Sequence, residues 1–279
     1  MPAPLQIRRM GHLNHLTTDE TETRVHYEDL LGAQFLMNIG ENPLTAGYLL
    51  DVGGEIIEAL IPKVLDRAEG KQLAKLGPHY SSIELLVPDL AQARESVTGR
   101  GIRLLLDGGT DFLTVPADTE GILVQVFDGD WHADPPPAHF SASKRTAEWW
   151  RDEHPIGYAG LRHVTFVTDD LARSRDFWLE LCGGLELYRE ARPHANAEAI
   201  GLDIGVPVEL IAPIGEGSVS TFFQHFGNKI RSITYEVVEL ERTRDHFASK
   251  GITVVPGDLP NSLMLTAEDN RGGIIQFVE

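Results

Sequence analysis

The histidines of this chain are candidate metal ligands and acid–base groups, because imidazole both binds divalent metals and moves protons near neutral pH. His12 and His15 stand three positions apart in the stretch GHLNHLTTD, which has the alternation of a short strand. They could be two metal ligands, one ligand beside one core residue, or two ordinary strand residues. Alternation puts His12 and Asn14 on one face of the predicted strand and His15 on the other, so the histidines are not expected to act as a pair.

The chain repeats itself at an offset of 150 or 151 residues. HLNHLTTDETETRVHYEDLLGA, from His12, corresponds to HVTFVTDDLARSRDFWLELCGG, from His163. GGEIIEALIP, ending at Pro62, corresponds to GVPVELIAP, ending at Pro213. The segments DLAQARESVTGRGI and GILVQVF correspond in the same way to ELERTRDHFASKGI and GIIQFVE. A constant offset through four segments indicates a tandem duplication.

Each half divides again into two βαβββ modules that must position any site. The helices are predicted to end at glycine, the usual residue after a helix C-terminus. The elements predicted in the first half are strand 10–17, helix 20–31, strands 34–38, 46–51 and 55–61, connector 62–79, strand 81–87, helix 89–99 and strands 102–106, 111–115 and 121–127. GEGSVS, at 215–220, is predicted to be a connector loop.

A linker is predicted between the halves. Residues 131–157 contain three consecutive prolines and mixed charge, with a short helix near 143–152. The predicted domains are therefore 1–130 and 158–279. His15 corresponds to the apolar Phe166 of the second half, so we expect His15 to be packed on the helix-covered side of the sheet.

Composition limits the partners and the compartment. The formal net charge is −18, from 42 Asp and Glu against 24 Lys and Arg. This charge disfavours nucleic acid and anionic membranes as partners and permits a cationic small molecule. The chain shows no signal-peptide pattern, no apolar run near the roughly 18 residues of a membrane span, and a single cysteine, Cys182. We predict a cytoplasmic protein in which Cys182 is a core thiol.

The chain resembles the vicinal oxygen chelate superfamily, which includes glyoxalase I, bleomycin-resistance proteins and extradiol dioxygenases. The resemblance covers nearly the whole chain and is carried by the strand openings GHLNHLTTD and RHVTFVTDD, the helix signatures VHYEDLLG and DFWLELCGG, and the closing strands EIIEALIP and PVELIAP. It implies an α+β fold of four βαβββ modules in two tandem pairs, whose mixed sheets form U-shaped cups with helices outside. It also implies a small-molecule ligand and a monomer or homodimer.

The same resemblance implies metal ligands on the first and last strands of each module. In the odd modules these positions hold His12 with Glu58 and His163 with Glu209. Such residues suit Fe, Mn, Co, Ni or Zn. The even modules have poorer ligands at the corresponding positions, so each cup is expected to bind a metal weakly or not at all. The other polar positions facing the cups are predicted to contact substrate: Asn14, Ser82, Gln125, Thr165, Ser232 and Gln276.

Several functions stay open. In a metal-assisted isomerase or lyase, the metal stabilises a developing oxyanion and Glu58, Glu209 or His12 moves a proton. Without metal, His12 and Glu58 would form the acid–base pair. A protein that only binds or sequesters a cationic aromatic molecule, such as an antibiotic, would instead use the acidic charge and aromatics such as Trp131, Trp149, Trp150 and Tyr235. An extradiol dioxygenase needs two histidines and one carboxylate, and the ligand positions of each cup supply one histidine.

Overall fold

A computed structural model describes residues 2–39, 43–133 and 137–279 of the chain. The protein is α+β, with two mixed sheets of eight strands that have equivalent strand orders, β2-β3-β4-β1-β5-β8-β7-β6 and β10-β11-β12-β9-β13-β16-β15-β14. The first-half strands are β1 (Arg9–Leu16), β2 (Gln34–Asn38), β3 (Thr45–Val52), β4 (Glu55–Pro62), β5 (His79–Leu86), β6 (Leu104–Asp107), β7 (Asp111–Thr114) and β8 (Leu123–Phe127). The second-half strands are β9 (Tyr158–Val167), β10 (Leu185–Arg192), β11 (Ala197–Asp203), β12 (Pro207–Pro213), β13 (Lys229–Val237), β14 (Val255–Pro256), β15 (Ser262–Leu265) and β16 (Ile274–Val278). The predicted fold class of four βαβββ modules in two tandem pairs is confirmed.

Six α-helices occur in the described residues, three in each half. They are α1 (Glu20–Leu31), α2 (Ala68–Leu76), α3 (Leu90–Thr98), α4 (Leu171–Cys182), α5 (Ser218–Phe226) and α6 (Leu240–Ser249). None of these helices is long and apolar enough to cross a membrane.

The helices α1 and α4 begin and end with the same residue types. Asp19 accepts a hydrogen bond from the Glu22 backbone N–H at 2.7 Å, and Asp170 does the same for Arg173 at 3.0 Å. Such side-chain caps satisfy N–H groups that have no partner inside the helix. Gly32 and Gly183 follow the helices in the left-handed conformation, which glycine adopts without steric cost.

Three local predictions need correction. Both connectors contain a helix, α2 and α5, at equivalent positions of the two halves. The predicted loop GEGSVS therefore becomes helical at Ser218, because Val219 and Phe222 bury their side chains against the apolar face of β11 and β12. In the linker, the predicted helix over 143–152 is reduced to a π-helical turn at Trp149–Glu153.

Two compact units interleave along the chain. The first unit comprises 1–13, 81–132 and 163–231, and the second comprises 14–80, 133–162 and 232–279. The predicted domain bounds, 1–130 and 158–279, follow the sequence repeat and stay a prediction.

The N-terminal residues form an arm within the first unit. The Leu5 backbone N–H donates to the Leu181 carbonyl at 2.7 Å. The guanidinium of Arg100 donates to the carbonyls of Pro2 and Ala3, each at 3.0 Å. The Ser96 hydroxyl of α3 also donates to the Ala3 carbonyl at 2.6 Å, so the arm is tied to both α3 and α4.

Candidate functional site

The first strands of the odd modules, β1 and β9, occupy equivalent places in their sheets. In the second half, β9 and β12 run parallel, with Thr165 in register with Glu209. The Thr168 N–H donates to the Ile211 carbonyl at 2.9 Å, and in the first half the Thr17 N–H donates to the Leu60 carbonyl at 3.0 Å. The backbone thus keeps one register in both halves, so any difference between the two sites comes from their side chains.

In the first half, His12 lies against a carboxylate that the sequence analysis missed. His12 Nδ1 is 3.1 Å from Glu84 Oε1, and only 4% and 2% of the two side chains are exposed. The Trp131 indole N–H donates to the same Glu84 oxygen at 2.8 Å. Gly11 leaves room for this carboxylate, because a Cβ at position 11 would lie 2.3 Å from Glu84 Oε1. All four residues belong to the first unit.

Trp131 reaches Glu84 because the chain turns back after β8. The Trp131 ring stacks on Phe127 with 5.3 Å between the ring centroids. His132 Nε2 lies 3.0 Å from the carbonyl oxygen of Gly11, which accepts a hydrogen bond from the ring N–H. Trp131, which the sequence suggested as a ligand-binding aromatic, therefore has a structural partner in Glu84.

The other first-half positions are more scattered. Gln125, a predicted substrate contact, donates from Nε2 to Asp111 Oδ2 of β7 at 2.9 Å. Its amide nitrogen therefore already has a partner in the protein. Ser82 is buried on β5, two residues before Glu84 and on the same strand face. Asn14 is buried and Glu58 half-buried in the second unit.

In the second half, Glu209 is held by a buried arginine that the sequence analysis also missed. Arg192 Nη2 lies 2.5 Å from Glu209 Oε2, with 1% and 0% of the two side chains exposed. The Tyr188 hydroxyl donates to the same oxygen at 3.0 Å, whereas His163 Nε2 is 3.7 Å from Glu209 Oε1. Arg192 also donates to Glu190 Oε2 at 2.6 Å. Burial opposes the charge on Arg192, but Glu209 and Glu190 raise its pKa above the ordinary value.

Strand geometry explains this cluster. Tyr188, Glu190 and Arg192 alternate along β10, which puts their side chains on one face. Tyr188 is in register with Gly201, and Gly201 is in register with Glu209. A Cβ at Gly201 would lie 2.2 Å from the Tyr188 ring, so glycine is the residue that lets the ring reach Glu209.

The even module of the second half forms its own buried network within the second unit. Gln276 Nε2 donates to Ser232 Oγ and to Asp258 Oδ2, each at 3.1 Å. The Asp258 backbone N–H donates to Gln276 Oε1 at 2.7 Å. The amide of Gln276 is therefore satisfied by protein groups. The roles predicted for Ser232 and Gln276, and for buried Thr165, stay predictions.

His15 is a packed histidine, as predicted. It is fully buried in the second unit, with Nδ1 2.9 Å from the Tyr27 hydroxyl and Nε2 3.0 Å from the Arg271 carbonyl. The Arg271 carbonyl can only accept, so Nε2 carries the proton and Nδ1 accepts from Tyr27. Burial lowers the pKa of His15 to about 3. Cys182 is the predicted core thiol, and burial raises its pKa to about 12.

The donor sets bear on the predicted metal. Within residues 2–39, 43–133 and 137–279, no group of three His, Cys, Asp or Glu side chains has an arrangement that could hold a metal ion. The second-half donors do not fit a divalent cation, because the guanidinium of Arg192 already stands against Glu209. In the first unit, His12 and Glu84 are two donors, whereas catalytic metal sites usually take three ligands from the protein.

Comparisons with known proteins show what the chain is similar to. Residues 162–263 match the family model described as the Glyoxalase/Bleomycin resistance protein/Dioxygenase superfamily. This match lies in the second half of the chain and confirms there the resemblance seen in the sequence. No curated protein matches the chain in sequence.

Three solved structures show the same fold over nearly the whole chain. A triple mutant of 4-hydroxymandelate synthase from Streptomyces coelicolor has a TM-score of 0.77 at 12% identity, over 97% of this chain and 92% of that chain. The 2,3-dioxygenase LapB from Pseudomonas sp. KL28 has a TM-score of 0.59 at 14% identity, over 99% and 93%. A xylose isomerase-like TIM barrel/4-hydroxyphenylpyruvate dioxygenase fusion protein has a TM-score of 0.65 at 12% identity, over 99% of this chain and 49% of that chain. At these identities the likeness shows the shared fold alone.

Proposed function

We propose that the chain is a small-molecule enzyme of the isomerase or lyase type, and that the His12–Glu84 pair moves the proton. The observation that carries this proposal is the 3.1 Å contact between two buried ionisable side chains on neighbouring strands. The match of residues 162–263 to the superfamily model supports a small oxygenated substrate. A pair of titratable groups in a buried site is a common feature of acid–base catalysis.

The contacts of Glu84 assign a role to each atom. Glu84 accepts a hydrogen bond from the Trp131 indole, and its Oε1 lies 3.1 Å from His12 Nδ1, where a carboxylate favours the imidazole tautomer with the proton on Nδ1. With Nδ1 protonated, Nε2 is the basic nitrogen of the neutral imidazole. Glu84 then stabilises the imidazolium that forms when Nε2 takes a proton, as the carboxylate of a catalytic triad does.

The proton transfer suggests a substrate class. An acid–base pair of this kind suits a carbonyl compound with an adjacent oxygen, whose α-proton is removed and returned at the same or a neighbouring carbon. Ser82, on the same face of β5 as Glu84, is assigned a hydrogen bond to a substrate oxygen. No step of this proposal requires a metal, and the metal roles of His12, Glu58, His163 and Glu209 remain predictions.

Deuterium exchange tests the proposal. The protein is incubated in D₂O with a panel of α-hydroxy ketones and 2-oxo acids, and loss of the α-proton signal is followed by proton NMR. We expect His12→Gln and Glu84→Gln to slow exchange of any active substrate by about 10²–10⁴-fold. His26→Gln, at a half-buried histidine of α1 in the second unit, is the matched control and should exchange at the wild-type rate. Exchange that survives His12→Gln unchanged would contradict the role of His12.

Extradiol ring cleavage is the alternative that the fold favours, because LapB, with which the chain shares its fold, is a 2,3-dioxygenase. This chemistry takes Fe(II) held by two histidines and a carboxylate. Oxygen uptake by the Fe(II)-supplemented protein with a panel of catechols tests it. Uptake with formation of the ring-cleaved product would replace the isomerase or lyase proposal.

Binding without turnover is the other alternative, and it is supported by the net charge of −18. Burial argues against two of the aromatic residues predicted to contact the ligand. Trp150 and Tyr235 are 1% and 0% exposed, and both rings pack against Tyr158. Tight calorimetric binding of an aromatic cation, together with no exchange on any substrate, would favour this function.

A further inference from the structure

We infer that residues 128–132 form a lid over His12 and Glu84, and that Trp131 is the latch that holds this lid closed. The inference rests on the acid–base function proposed for the pair. In the structure, 4% of the His12 side chain and 2% of the Glu84 side chain are exposed. A substrate has to contact His12 Nε2 before a proton moves, so a neighbouring part of the chain must open to admit it.

Side-chain contacts attach the lid to the two strands that carry the pair. The Trp131 indole N–H donates to Glu84 Oε1, on β5, at 2.8 Å. His132 Nε2 lies 3.0 Å from the carbonyl oxygen of Gly11, the residue before His12 on β1. β1 and β5 are neighbours in the first sheet. Two consecutive lid residues therefore bind to the two strands beside the contact between His12 and Glu84.

The lid lies outside the sheet, so its opening leaves the strands paired. β8 ends at Phe127, whose carbonyl accepts from the Val87 N–H at 2.9 Å, and residues 128–132 continue as bends and turns. Within the lid, the His132 backbone N–H donates to Asp130 Oδ1 at 2.8 Å, which gives this turn its own local bond. Segments outside the helices and strands open at a lower free energy than the core strands do.

The Phe127 ring is the surface against which the latch closes. The Trp131 ring stacks on it, with 5.3 Å between the ring centroids and 20° between the ring planes. Gly129 permits the chain to return over this ring, since a Cβ at position 129 would lie 2.1 Å from Phe127 Cζ. The closed lid is therefore stabilised by a hydrogen bond to a carboxylate and by a ring contact, and both are lost when it opens.

The experiment labels the histidines of the full chain with diethyl pyrocarbonate at neutral pH, and mass spectrometry of the digested protein gives the labelling rate of each histidine. The reagent reacts with neutral imidazole, so the rate at His12 measures how often its ring is accessible. Trp131→Phe keeps an aromatic ring but loses the bond to Glu84, and we expect it to raise the His12 rate by about tenfold. Phe127→Leu removes the ring contact and should raise the rate by a smaller factor.

Two other histidines serve as internal controls. His15 is fully buried on the same strand as His12 and reports global unfolding, so its slow labelling should not change in the variants. His139 is exposed and reports the activity of the reagent. Trp149→Phe, at a half-buried tryptophan of the second unit, is the matched variant and should leave the His12 rate at the wild-type value.

Two results would overturn the inference. One is a folded Trp131→Phe protein in which His12 is labelled at the wild-type rate. The other is wild-type protein in which His12 and His15 are labelled at equal rates, since global unfolding alone would then expose His12. This second measurement needs no variant, so it decides the question even if Trp131→Phe does not fold. Labelling needs no substrate, so a His12 rate that depends on Trp131, without deuterium exchange on any substrate, would contradict the proposed function and support the lid.

Discussion

Glu84 Oε1 lies 3.1 Å from His12 Nδ1, and the residue that takes the place of Glu84 in the second half is Thr234. The equivalence follows from register, because Glu84 pairs with Gln125 on β8 and Thr234 pairs with Gln276 on β16. The buried charged side chains near the first strand therefore differ between the two halves. The first half has a carboxylate on the first strand of its even module, and the second half has a guanidinium on β10.

The His12–Glu84 contact predicts energetic coupling. We expect His12→Gln and Glu84→Gln to be non-additive in the free energy of unfolding, with a coupling of about 1–3 kcal/mol, because each single change removes the ionic contact of a buried partner. Urea unfolding of the two single variants and the double variant measures it. The same cycle on the Arg162–Glu236 pair, whose side chains are 46% and 42% exposed, is the control and should show a coupling below about 1 kcal/mol. Additive changes at His12 and Glu84 would show that the contact contributes nothing.

The Arg192–Glu209 pair predicts a different response. Arg192→Met should lower the free energy of unfolding by about 3–5 kcal/mol, because the charge of Glu209 would be left buried and uncompensated. Adding Glu209→Leu should recover most of this loss, since an apolar pair of similar volume replaces a buried ion pair at little cost. Urea unfolding in the presence of a chelator measures both. A double variant less stable than Arg192→Met would show that the charges are needed for more than mutual compensation.

His15 predicts acid sensitivity of the fold. Its pKa is about 3 in the folded protein, lowered by burial from an ordinary value of 6.5, so the folded state binds fewer protons than the unfolded state between these values. The stability that the neutral histidine contributes is complete above pH 6.5 and is lost as the pH falls towards 3, by at most about 1.4 kcal/mol per pH unit.

Residues from the second half provide the test of this acid sensitivity. His15→Phe with Tyr27→Trp places the Phe166–Trp178 pair of the second half at the equivalent position. We expect the variant to lose stability less steeply than wild type between pH 6.5 and 4, measured as the slope of the unfolding free energy against pH. His154, whose pKa burial lowers to about 4, remains in both proteins, so part of the slope should persist. An unchanged slope would show that His15 does not contribute to it.

Sequence alone predicted the parts of the fold that local signals encode. The predicted helix over about 20–31 agrees with α1, because Asp19 caps its start and Gly32 ends it in the left-handed conformation. Because the sequence repeats, the same elements were predicted for the second half. The helices α2 and α5 were missed because each has nine residues within a connector, where the offset of the repeat gives no information about conformation.

The partners of the candidate site could not be predicted in the same way. Glu84 could have been recognised as a candidate, since it is an acidic residue in the otherwise apolar part of SIELLV. The resemblance instead assigned the site position of this module to Gln125 on the last strand. Arg192 reaches Glu209 only through the register of β10 against β11, which includes an irregularity between Glu186 and Tyr188. Such pairing is set by long-range contacts, so residue types and spacing do not specify it.

Gly201 provides the last prediction, because it is the space into which the Tyr188 ring fits. Gly201→Ala would bring a methyl group to 2.2 Å from the ring and should lower the free energy of unfolding by about 1–3 kcal/mol through overpacking. The first half has Met37 and Leu49 in the same register, which shows that a flexible side chain accommodates a larger neighbour there. Tyr188→Met should therefore remove most of the cost of Gly201→Ala, although it also loses the hydroxyl that donates to Glu209. Urea unfolding of the four proteins measures the difference, and an equal cost of Gly201→Ala with tyrosine or methionine at position 188 would show that the ring does not require the glycine.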